Sequence, residues 1–241
     1  MADFKTHIAT SSALGLVYAG AGHALGIPLT SSLIAGGLCG LAGMLPDLDS
    51  DSGIPVRETA SFTAALAPVL MMERFEHLGL SREEMVLAFG GSYLAIRFGL
   101  AEIFKRYTVH RGMWHSLPAA LIVAVIGYLL CGCHDPLIRF YKAGALFVGF
   151  VSHLWLDELH SVQVRRGKLR VKKSLGTAMK LWGDNSWANF STYAKLVVLV
   201  FLAFGDTRYF TRYFGEYEHR IEHTAGRALR DVLEQGREFL R

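Results

Sequence analysis

Long apolar stretches, separated by short polar segments, account for most of this 241-residue chain. Such stretches predict helices, and a helix of about 20 apolar residues is long enough to span a bilayer. Six stretches approach this length and a seventh is marginal; in chain order they are Ile8–Ile27, Ser31–Leu45, Ala60–Met72, Met85–Phe104, Leu117–Cys133, Leu137–Leu156 and Tyr193–Phe204. The second, third and seventh are short, so each is either a span or a re-entrant or buried helix. The pattern predicts an all-α fold, a polytopic membrane helix bundle of six or seven hydrophobic helices.

Polar residues concentrate in two segments near the end of the chain. A basic segment, 158–192, follows the sixth stretch, and a polar tail begins at Asp206. Apolar residues recur in the tail at three- and four-residue spacing, which predicts one amphipathic helix that either docks on the rest of the chain or binds a partner. They are Ile221, Ala225, Leu229, Val232 and Leu233. We predict a membrane-embedded domain, residues 1–205 with the basic segment included, and a C-terminal amphipathic helix, residues 206–241.

Counting the spans places the polar clusters of the chain on one face of the membrane. If every stretch crosses, His7 and the clusters Pro46–Asp51, His110–Ser116 and His153–Asp157 share the side of the N-terminus. Most Lys and Arg residues of the connections also fall on that side, chiefly in 165–173. The positive-inside rule therefore assigns this face to the cytoplasm. The predicted location is the cell inner membrane, and the choice between six and seven spans decides the side of the tail.

Composition changes this interpretation little. The formal net charge of +4 is modest, and we predict no specific nucleic-acid partner. No cleavable signal peptide is evident, so the first stretch is interpreted as a membrane anchor. The cysteines, Cys39, Cys131 and Cys133, lie in apolar stretches and are interpreted as buried reduced thiols. A single residue separates Cys131 from Cys133, which is too little for an ordinary structural disulfide.

The polar clusters contain the carboxylate and imidazole groups that bind divalent metals. His153 and Asp157 are four residues apart, which puts them on one face of a helix, either as two ligands of one ion or as a hydrogen-bonded pair. Three carboxylates, Asp47, Asp49 and Asp51, follow the second stretch. Negative charge at a helix C-terminus opposes the helix dipole, and a cation offsets that cost. Pro46 and one capping aspartate explain the cluster only in part, so we favour Asp47 and Asp49 as ligands.

Histidines supply the remaining candidates. His110 and His115 flank a turn that contains Gly112, and Ser116 is the predicted N-cap of the fifth helix, with Pro118 in its first turn. The helix N-terminus disfavours a charged His115 ring, which leaves the ring able to bind a metal. The alternative interpretation is that His110 and His115 are ordinary exposed histidines of a loop. His7 immediately precedes the first stretch, on the same face.

The order of these motifs resembles that of a known family. An N-terminal His, then Pro-Asp-Leu-Asp-Ser-Asp, His-Arg-Gly-Met-Trp-His-Ser and His-x-x-x-Asp, resembles the YdjM-like family, described as inner-membrane, metal-dependent hydrolases. The resemblance covers roughly Met1–His160, and the family is regarded as distantly related to zinc-dependent phospholipase C and P1 nuclease. The resemblance implies a phosphoester substrate and the metal ligands His7, Asp47, Asp49, His110, His115, His153 and Asp157.

The leading hypothesis is a membrane-bound metal-dependent hydrolase with a zinc cofactor, manganese and iron also being suited to these donors. Seven ligands exceed the number that one zinc takes, so two ions are expected, which would activate water as hydroxide. We predict that Asp51 or Glu158 transfers protons during the reaction. Arg111 is predicted to bind an anionic oxygen of an amphiphilic or phosphorylated substrate. The alternative is a non-catalytic metal-binding protein: a sensor, a scaffold or a transporter, although a transporter places its ligands near the middle of the bilayer. The pattern defines no oligomeric state.

Overall fold

The computed structural model describes residues 3–49, 54–100, 113–133, 135–165, 168–171 and 179–206. Over these ranges the chain is mainly α-helical, which confirms the predicted helical class. The helices are α1 (Phe4–Ala24), α2 (Leu29–Ala42), α3 (Ile54–Leu70), α4 (Met72–His77), α5 (Arg82–Leu94), α6 (Leu117–Leu130), α7 (Pro136–Leu159) and α8 (Ser186–Asp206). A 3-10 helix covers Leu45–Asp49, and a π-helical segment, Ala95–Leu100, continues α5.

A short antiparallel hairpin follows α7 and corrects the all-α prediction locally. Strand β1 (Val162–Arg165) pairs with β2 (Lys168–Val171), which places Arg165 opposite Lys168. Apolar and polar residues alternate along β1, a pattern that favours a strand over the loop expected from the basic composition. The chain separates into two compact units, Met1–Phe201 and Leu202–Arg241. The amphipathic helix predicted in the tail lies outside the described residues, and the predicted division after residue 205 stays a prediction.

Capping residues define where several of the helices begin. Asp3, Ser116 and Asp135 each accept a hydrogen bond from a backbone N–H in the first turn of α1, α6 and α7. Such caps satisfy N–H groups that have no partner inside the helix. Hydropathy locates only the apolar middle of a helix, whereas these polar residues define where it begins. The predicted cap at Ser116, with Pro118 in the first turn, is confirmed.

Small residues let α1 and α2 approach each other closely. One face of α1 is buried at every third or fourth position, at His7, Ser11, Gly15, Ala19 and Gly22. A Cβ atom at Gly15 would lie 2.3 Å from the carbonyl oxygen of Gly36, so the two backbones leave no room for a side chain. Ser11 donates a hydrogen bond to the Gly40 carbonyl at 2.9 Å. Helix contacts through small residues are typical of membrane proteins, and this one places His7 beside the C-terminal end of α2.

Helix α7 packs against α1, α2 and α6 and forms the centre of the hydrophobic core. Its residues Phe150, His153 and Leu154 are fully buried. Backbone contact with α2 occurs at Gly149, where a Cβ atom would lie 2.0 Å from the Cys39 carbonyl oxygen. Because His153 follows one turn later, this contact also fixes how closely α7 approaches the polar end of α2.

We expect Gly149→Ala to lower the free energy of unfolding by about 1–3 kcal/mol, because the added methyl group forces α7 away from α2. The measurement is thermal unfolding of the purified protein in detergent, followed by circular dichroism. Gly37→Ala is the matched control, since a Cβ atom at Gly37 in α2 meets nothing within 4 Å. An equal loss of stability in both variants would contradict the assigned helix contact.

The helices expose many large apolar side chains. Two helices, Pro136–Leu159 and Ser186–Asp206, are long and apolar enough to cross a membrane, while α2 and α6 are apolar but shorter. The exposed side chains on α1, α6, α7 and α8 include Leu16, Val17, Leu121, Ile126, Phe140, Trp155, Trp187, Phe190, Val197, Phe201 and Phe204. Apolar surface of this extent is costly in water and favours lipid contact. The predicted number of six or seven spans stays a prediction.

Candidate metal centre

The last two turns of α7 provide two buried polar side chains. His153 and Asp157 lie on the same face of the helix, as their four-residue spacing predicts, and both are buried. The His153 Nε2 atom lies 3.8 Å from Asp157 Oδ2, too far for a hydrogen bond between these atoms. Of the two alternatives left open by the sequence, this separation favours two ligands of a common ion.

Helix α1 contributes His7, whose side chain is buried beside both residues. The His7 Nε2 atom lies 3.3 Å from Asp157 Oδ1. The imidazole rings of His7 and His153 are stacked, with centroids 3.7 Å apart and an angle of 13° between their planes. Two charged imidazolium rings would repel each other strongly in this buried arrangement. The stacked arrangement therefore argues against charge on both rings at once, and a neutral imidazole is the form that binds a metal.

A backbone carbonyl determines how the His153 ring is oriented. His153 Nδ1 lies 2.8 Å from the carbonyl oxygen of Gly43, at the C-terminal end of α2. A carbonyl oxygen only accepts hydrogen bonds, so Nδ1 carries the proton and Nε2 presents its lone pair to the centre. The Nε2 atom is buried and has no hydrogen-bond partner. A metal-binding histidine is usually held in this way, by a hydrogen bond from its other ring nitrogen.

Asp47 and His115 also lie close to the His153 ring. Asp47 lies in the 3-10 helix after α2, and its Oδ1 atom is 3.6 Å from His153 Nε2. His115 precedes α6, is buried, and meets the His153 ring edge-on with centroids 5.8 Å apart. Trp114 fixes this segment, because its indole Nε1 donates a hydrogen bond to the Leu45 carbonyl at 3.1 Å. The indole thus ties the turn before α6 to the 3-10 helix that carries Asp47.

The described residues form two overlapping groups of potential metal donors. One is His7, His153 and Asp157; the other is Asp47, His115 and His153, and within each group the donor atoms lie within 4.8 Å of one another. In a tetrahedral zinc site with bonds of 2.0–2.1 Å, neighbouring ligand atoms are about 3.3–3.4 Å apart. The three separations given above, 3.3, 3.6 and 3.8 Å, are close to this spacing.

The charge of the centre suits a divalent ion. Three neutral imidazoles and two carboxylates carry two negative charges together, which one divalent cation neutralises. Such neutralisation matters because an uncompensated charge is costly in a buried site. The two groups share His153, and the single lone pair on its Nε2 atom binds one ion, so both groups cannot hold an ion through His153 at the same time. The two-ion centre predicted from the sequence would therefore need a bridging carboxylate or donors beyond these five.

Asp47 is the donor of this centre that is not fully buried. Its side chain is 17% exposed, whereas those of His7 and His153 are 2% and 0% exposed. The Asp47 carboxylate therefore lies between the buried imidazoles and the surface.

The structure thus brings together five of the seven predicted metal ligands. The side chain of Asp49 lies outside the described residues, although its backbone ends the 3-10 helix. His110 and two of the predicted catalytic residues, Asp51 and Arg111, also lie outside the described part of the chain. Glu158, the third, follows Asp157 but belongs to neither donor group. Its predicted role in proton transfer is untested.

Two positioning features were not predicted from the sequence. The Gly43 carbonyl orients His153, but a backbone acceptor leaves no trace in residue identity. The glycine at position 43 can be read from the sequence, and the structure explains it, because a Cβ atom there would lie 2.2 Å from Ser11 Cβ. The role of Trp114 could have been predicted from the sequence. It lies between two candidate histidines, and a buried indole N–H usually has a hydrogen-bond partner.

The N-cap of α1 is an ionisable residue, so its contribution to stability depends on pH. Hydrogen bonds from the Thr6 hydroxyl and backbone N–H lower the pKa of Asp3, which caps the helix that carries His7. A lowered folded-state pKa means that the cap stabilises the fold above the unfolded pKa of about 3.9. This contribution is lost as the pH falls through the lowered value.

We expect Asp3→Ala to lower Tm at pH 7, and the difference from the parent chain to shrink as the pH falls into the acid range. Thermal unfolding at a series of pH values measures this difference. Asp3→Asn is the control, because asparagine also caps helices but does not titrate. A Tm difference between Asp3→Ala and the parent that is independent of pH would contradict the ionised cap.

Comparison with known proteins gives one match. A family model described as YdjM inner membrane protein matches residues 1–166, which include all five residues of the donor groups. No match was found among curated proteins or among solved structures.

Proposed function

The chain belongs to the YdjM inner membrane protein family, and from this premise we propose that it is a membrane-bound, metal-dependent hydrolase. The proposed centre consists of His7, Asp47, His115, His153 and Asp157. Zinc is the proposed ion, and the mixed His and Asp donors are also suited to manganese or iron. The proposed substrate is a phosphoester or another anionic, amphiphilic molecule.

One observation carries this proposal: the buried His153 Nε2 atom has no hydrogen-bond partner and is surrounded by carboxylate and imidazole donors. Buried polar atoms are almost always satisfied, so this atom needs an explanation. A bound ion supplies one. The ion would also offset the two neighbouring carboxylates, Asp47 and Asp157.

A divalent ion in this centre would polarise a phosphoryl oxygen and activate water for attack. The protein residues contribute position and access. The Gly43 carbonyl holds the His153 ring in one tautomer, and stacking against His7 restricts its rotation. Asp47, at the solvent-accessible edge, lies where a substrate would enter. We propose that Arg111 binds an anionic substrate oxygen and that Asp51 or Glu158 transfers protons.

The proposed substrate class follows from the surroundings of the centre. Exposed apolar side chains on α7, among them Trp155 and Leu159, place a lipid-compatible surface on the helix that carries His153 and Asp157. The hairpin that follows α7 is rich in Arg and Lys. Apolar surface next to positive charge favours an anionic amphiphile at the membrane interface.

We further propose that the chain is a polytopic inner-membrane protein whose centre faces the cytoplasm. The distribution of Lys and Arg supports this orientation. A single cysteine introduced as Ser50→Cys in a cysteine-free background should react with a membrane-impermeant maleimide only after the cells are opened. Labelling in intact cells would place this segment on the outer face.

The hydrolase proposal is tested by assaying the zinc-loaded protein in detergent. The substrates are p-nitrophenyl phosphate, bis(p-nitrophenyl) phosphate and short-chain anionic phospholipids. We expect turnover of at least one of them, and a loss of more than about 100-fold in His115→Ala and Asp47→Asn. His160→Ala is the matched control, because this histidine ends α7 with an exposed side chain that bonds to the Leu156 carbonyl.

A second function is favoured by the burial of three of the donors. His7, His115 and His153 are almost completely shielded from solvent, as the ligands of a structural ion usually are. Stoichiometric metal without turnover on any of the substrates, together with a large loss of stability on metal removal, would support a non-catalytic metal-binding protein.

A further inference from the structure

A second buried cluster of reactive side chains lies at the other end of α7. Lys142, in the second turn of the helix, places its Nζ atom 2.9 Å from Cys133 Sγ and 3.8 Å from Cys131 Sγ. The two sulfur atoms are 3.0 Å apart, and Cys133 Sγ lies 3.5 Å from Glu73 Oε1. Eleven residues separate Lys142 from His153, about 16 Å along the helix axis. This cluster is therefore distinct from the metal centre.

The backbone between the two cysteines is held against α4. Gly132 has no room for a side chain, because a Cβ atom there would lie 2.7 Å from the Arg74 backbone nitrogen and 2.9 Å from Glu73 Cβ. Arg74 also donates a hydrogen bond to the Cys131 carbonyl at 3.2 Å. The two thiols are thus fixed side by side, rather than brought together by a flexible loop.

The position of Lys142 favours thiol chemistry over metal binding. An ammonium group stabilises a thiolate beside it, and thiolates are the nucleophiles in disulfide exchange. The same positive charge repels a cation from the two sulfur atoms. Burying a lysine is costly unless it is paired, and the cluster supplies acidic partners, of which the Cys133 sulfur lies 2.9 Å from Lys142 Nζ and Glu73 lies beside Cys133. Cys133 is also the more exposed thiol, at 7% against 1% for Cys131.

We propose that Cys131 and Cys133 form a redox-active dithiol, activated by Lys142, that exchanges with small-molecule disulfides. The Cys133 thiolate attacks a disulfide RSSR, which forms a mixed disulfide and releases RS⁻. The Cys131 sulfur, after losing its proton, then attacks the sulfur of Cys133, which closes the Cys131–Cys133 bond and releases the second RS⁻. The dithiol loses two electrons and two protons, and RSSR is reduced to two RSH.

The sulfur atoms need to move little for this reaction. They are about 1 Å further apart than in a disulfide bond. A ring closed over a single intervening residue is small and strained, which makes such a bond readily reducible rather than a permanent staple. The sequence predicts that Cys131 and Cys133 do not form an ordinary structural disulfide. A reversible bond between them agrees with that prediction.

The test uses the full chain in detergent, reduced and then treated with glutathione disulfide. We expect peptide mass spectrometry to show a Cys131–Cys133 disulfide, with the loss of two hydrogens and no retained glutathione, while Cys39 stays a free thiol that is alkylated once the chain is denatured. In Cys131→Ser, the mixed glutathione disulfide should persist on Cys133. Failure to form the ring, or stable glutathione adducts on both cysteines of the parent chain, would overturn the proposal.

The role of Lys142 is tested by the rate of alkylation of Cys133 with iodoacetamide at pH 7. We expect Lys142→Met to slow this reaction about tenfold or more, and Lys142→Arg to keep most of it, because arginine preserves the positive charge. Cys39, which is buried in the core, provides the internal reference for folding in each variant. Equal alkylation rates of Cys133 in the parent chain and Lys142→Met would rule out activation by lysine.

Discussion

Replacement of His153 by alanine is expected to reduce the affinity for zinc by more than about 100-fold. Even residues that only orient a ligand cost 10–100-fold when changed, and His153 is a proposed ligand common to both donor groups. Its loss removes a donor from each group and leaves Asp47 and Asp157 without the imidazole between them. The measurement is zinc bound per chain at a series of buffered free-zinc concentrations.

The matched control for this prediction is His160→Ala, at the end of the same helix. The His160 side chain is exposed and belongs to neither donor group, so we expect unchanged zinc affinity. His7→Ala and His115→Ala each remove a donor from one group only, and we expect smaller losses than for His153→Ala. Unchanged zinc binding in His153→Ala would refute the assignment of the centre.

Removal of the metal is expected to have the largest effect on stability. A ligand that binds only the folded state stabilises it by about 4 kcal/mol when its free concentration is 1,000 times Kd. Without the ion, the buried carboxylate of Asp157 and the carboxylate of Asp47 lose their main compensating charge. We expect a chelator to lower Tm by several degrees and added zinc to restore it.

His153→Ala also provides the control for this second prediction. Its Tm should respond much less to chelator or to zinc, because the centre no longer binds the ion tightly. A chelator that lowers the Tm of the parent chain and of His153→Ala equally would indicate a metal bound elsewhere. No response in the parent chain would show that the ion contributes nothing to the fold.

The sequence could predict that the site residues lie close together, because this depends on helix periodicity and on the order of the apolar stretches. The four-residue spacing of His153 and Asp157 places them on one helix face, and counting apolar stretches places His7, Asp47 and His115 at the same end. These inferences require only helix geometry and alternating direction. The candidate set of seven ligands, which contains the five residues of the donor groups, is consistent with them, and the helical class follows from the same periodicity.

Other features depend on packing that residue type does not reveal. The contact between Gly149 and the Cys39 carbonyl depends on how two helices cross, and the orientation of His153 depends on a backbone oxygen. The burial of Lys142, in the second turn of α7, is a further example. It is buried because Cys131 and Cys133 pair with it, an interaction between residues whose approach only the fold determines.

Helix ends and the hairpin were missed for a different reason. Hydropathy marks the apolar middle of a helix, so α3 and α8 begin several residues before the stretches that predicted them. Strand β1 is only four residues long, and the segment was interpreted from its basic composition alone. Local propensity in such short segments is weak until a partner strand is present.

The central claim is that imidazole and carboxylate groups around His153 hold a divalent ion. It is tested most directly by X-ray absorption at the zinc edge of the zinc-loaded protein. We predict nitrogen and oxygen ligands at about 2.0–2.2 Å, with the outer-shell scattering of more than one imidazole. A sulfur shell at about 2.3 Å, which would place the ion at Cys131 and Cys133, or a shell of oxygen alone would contradict the claim.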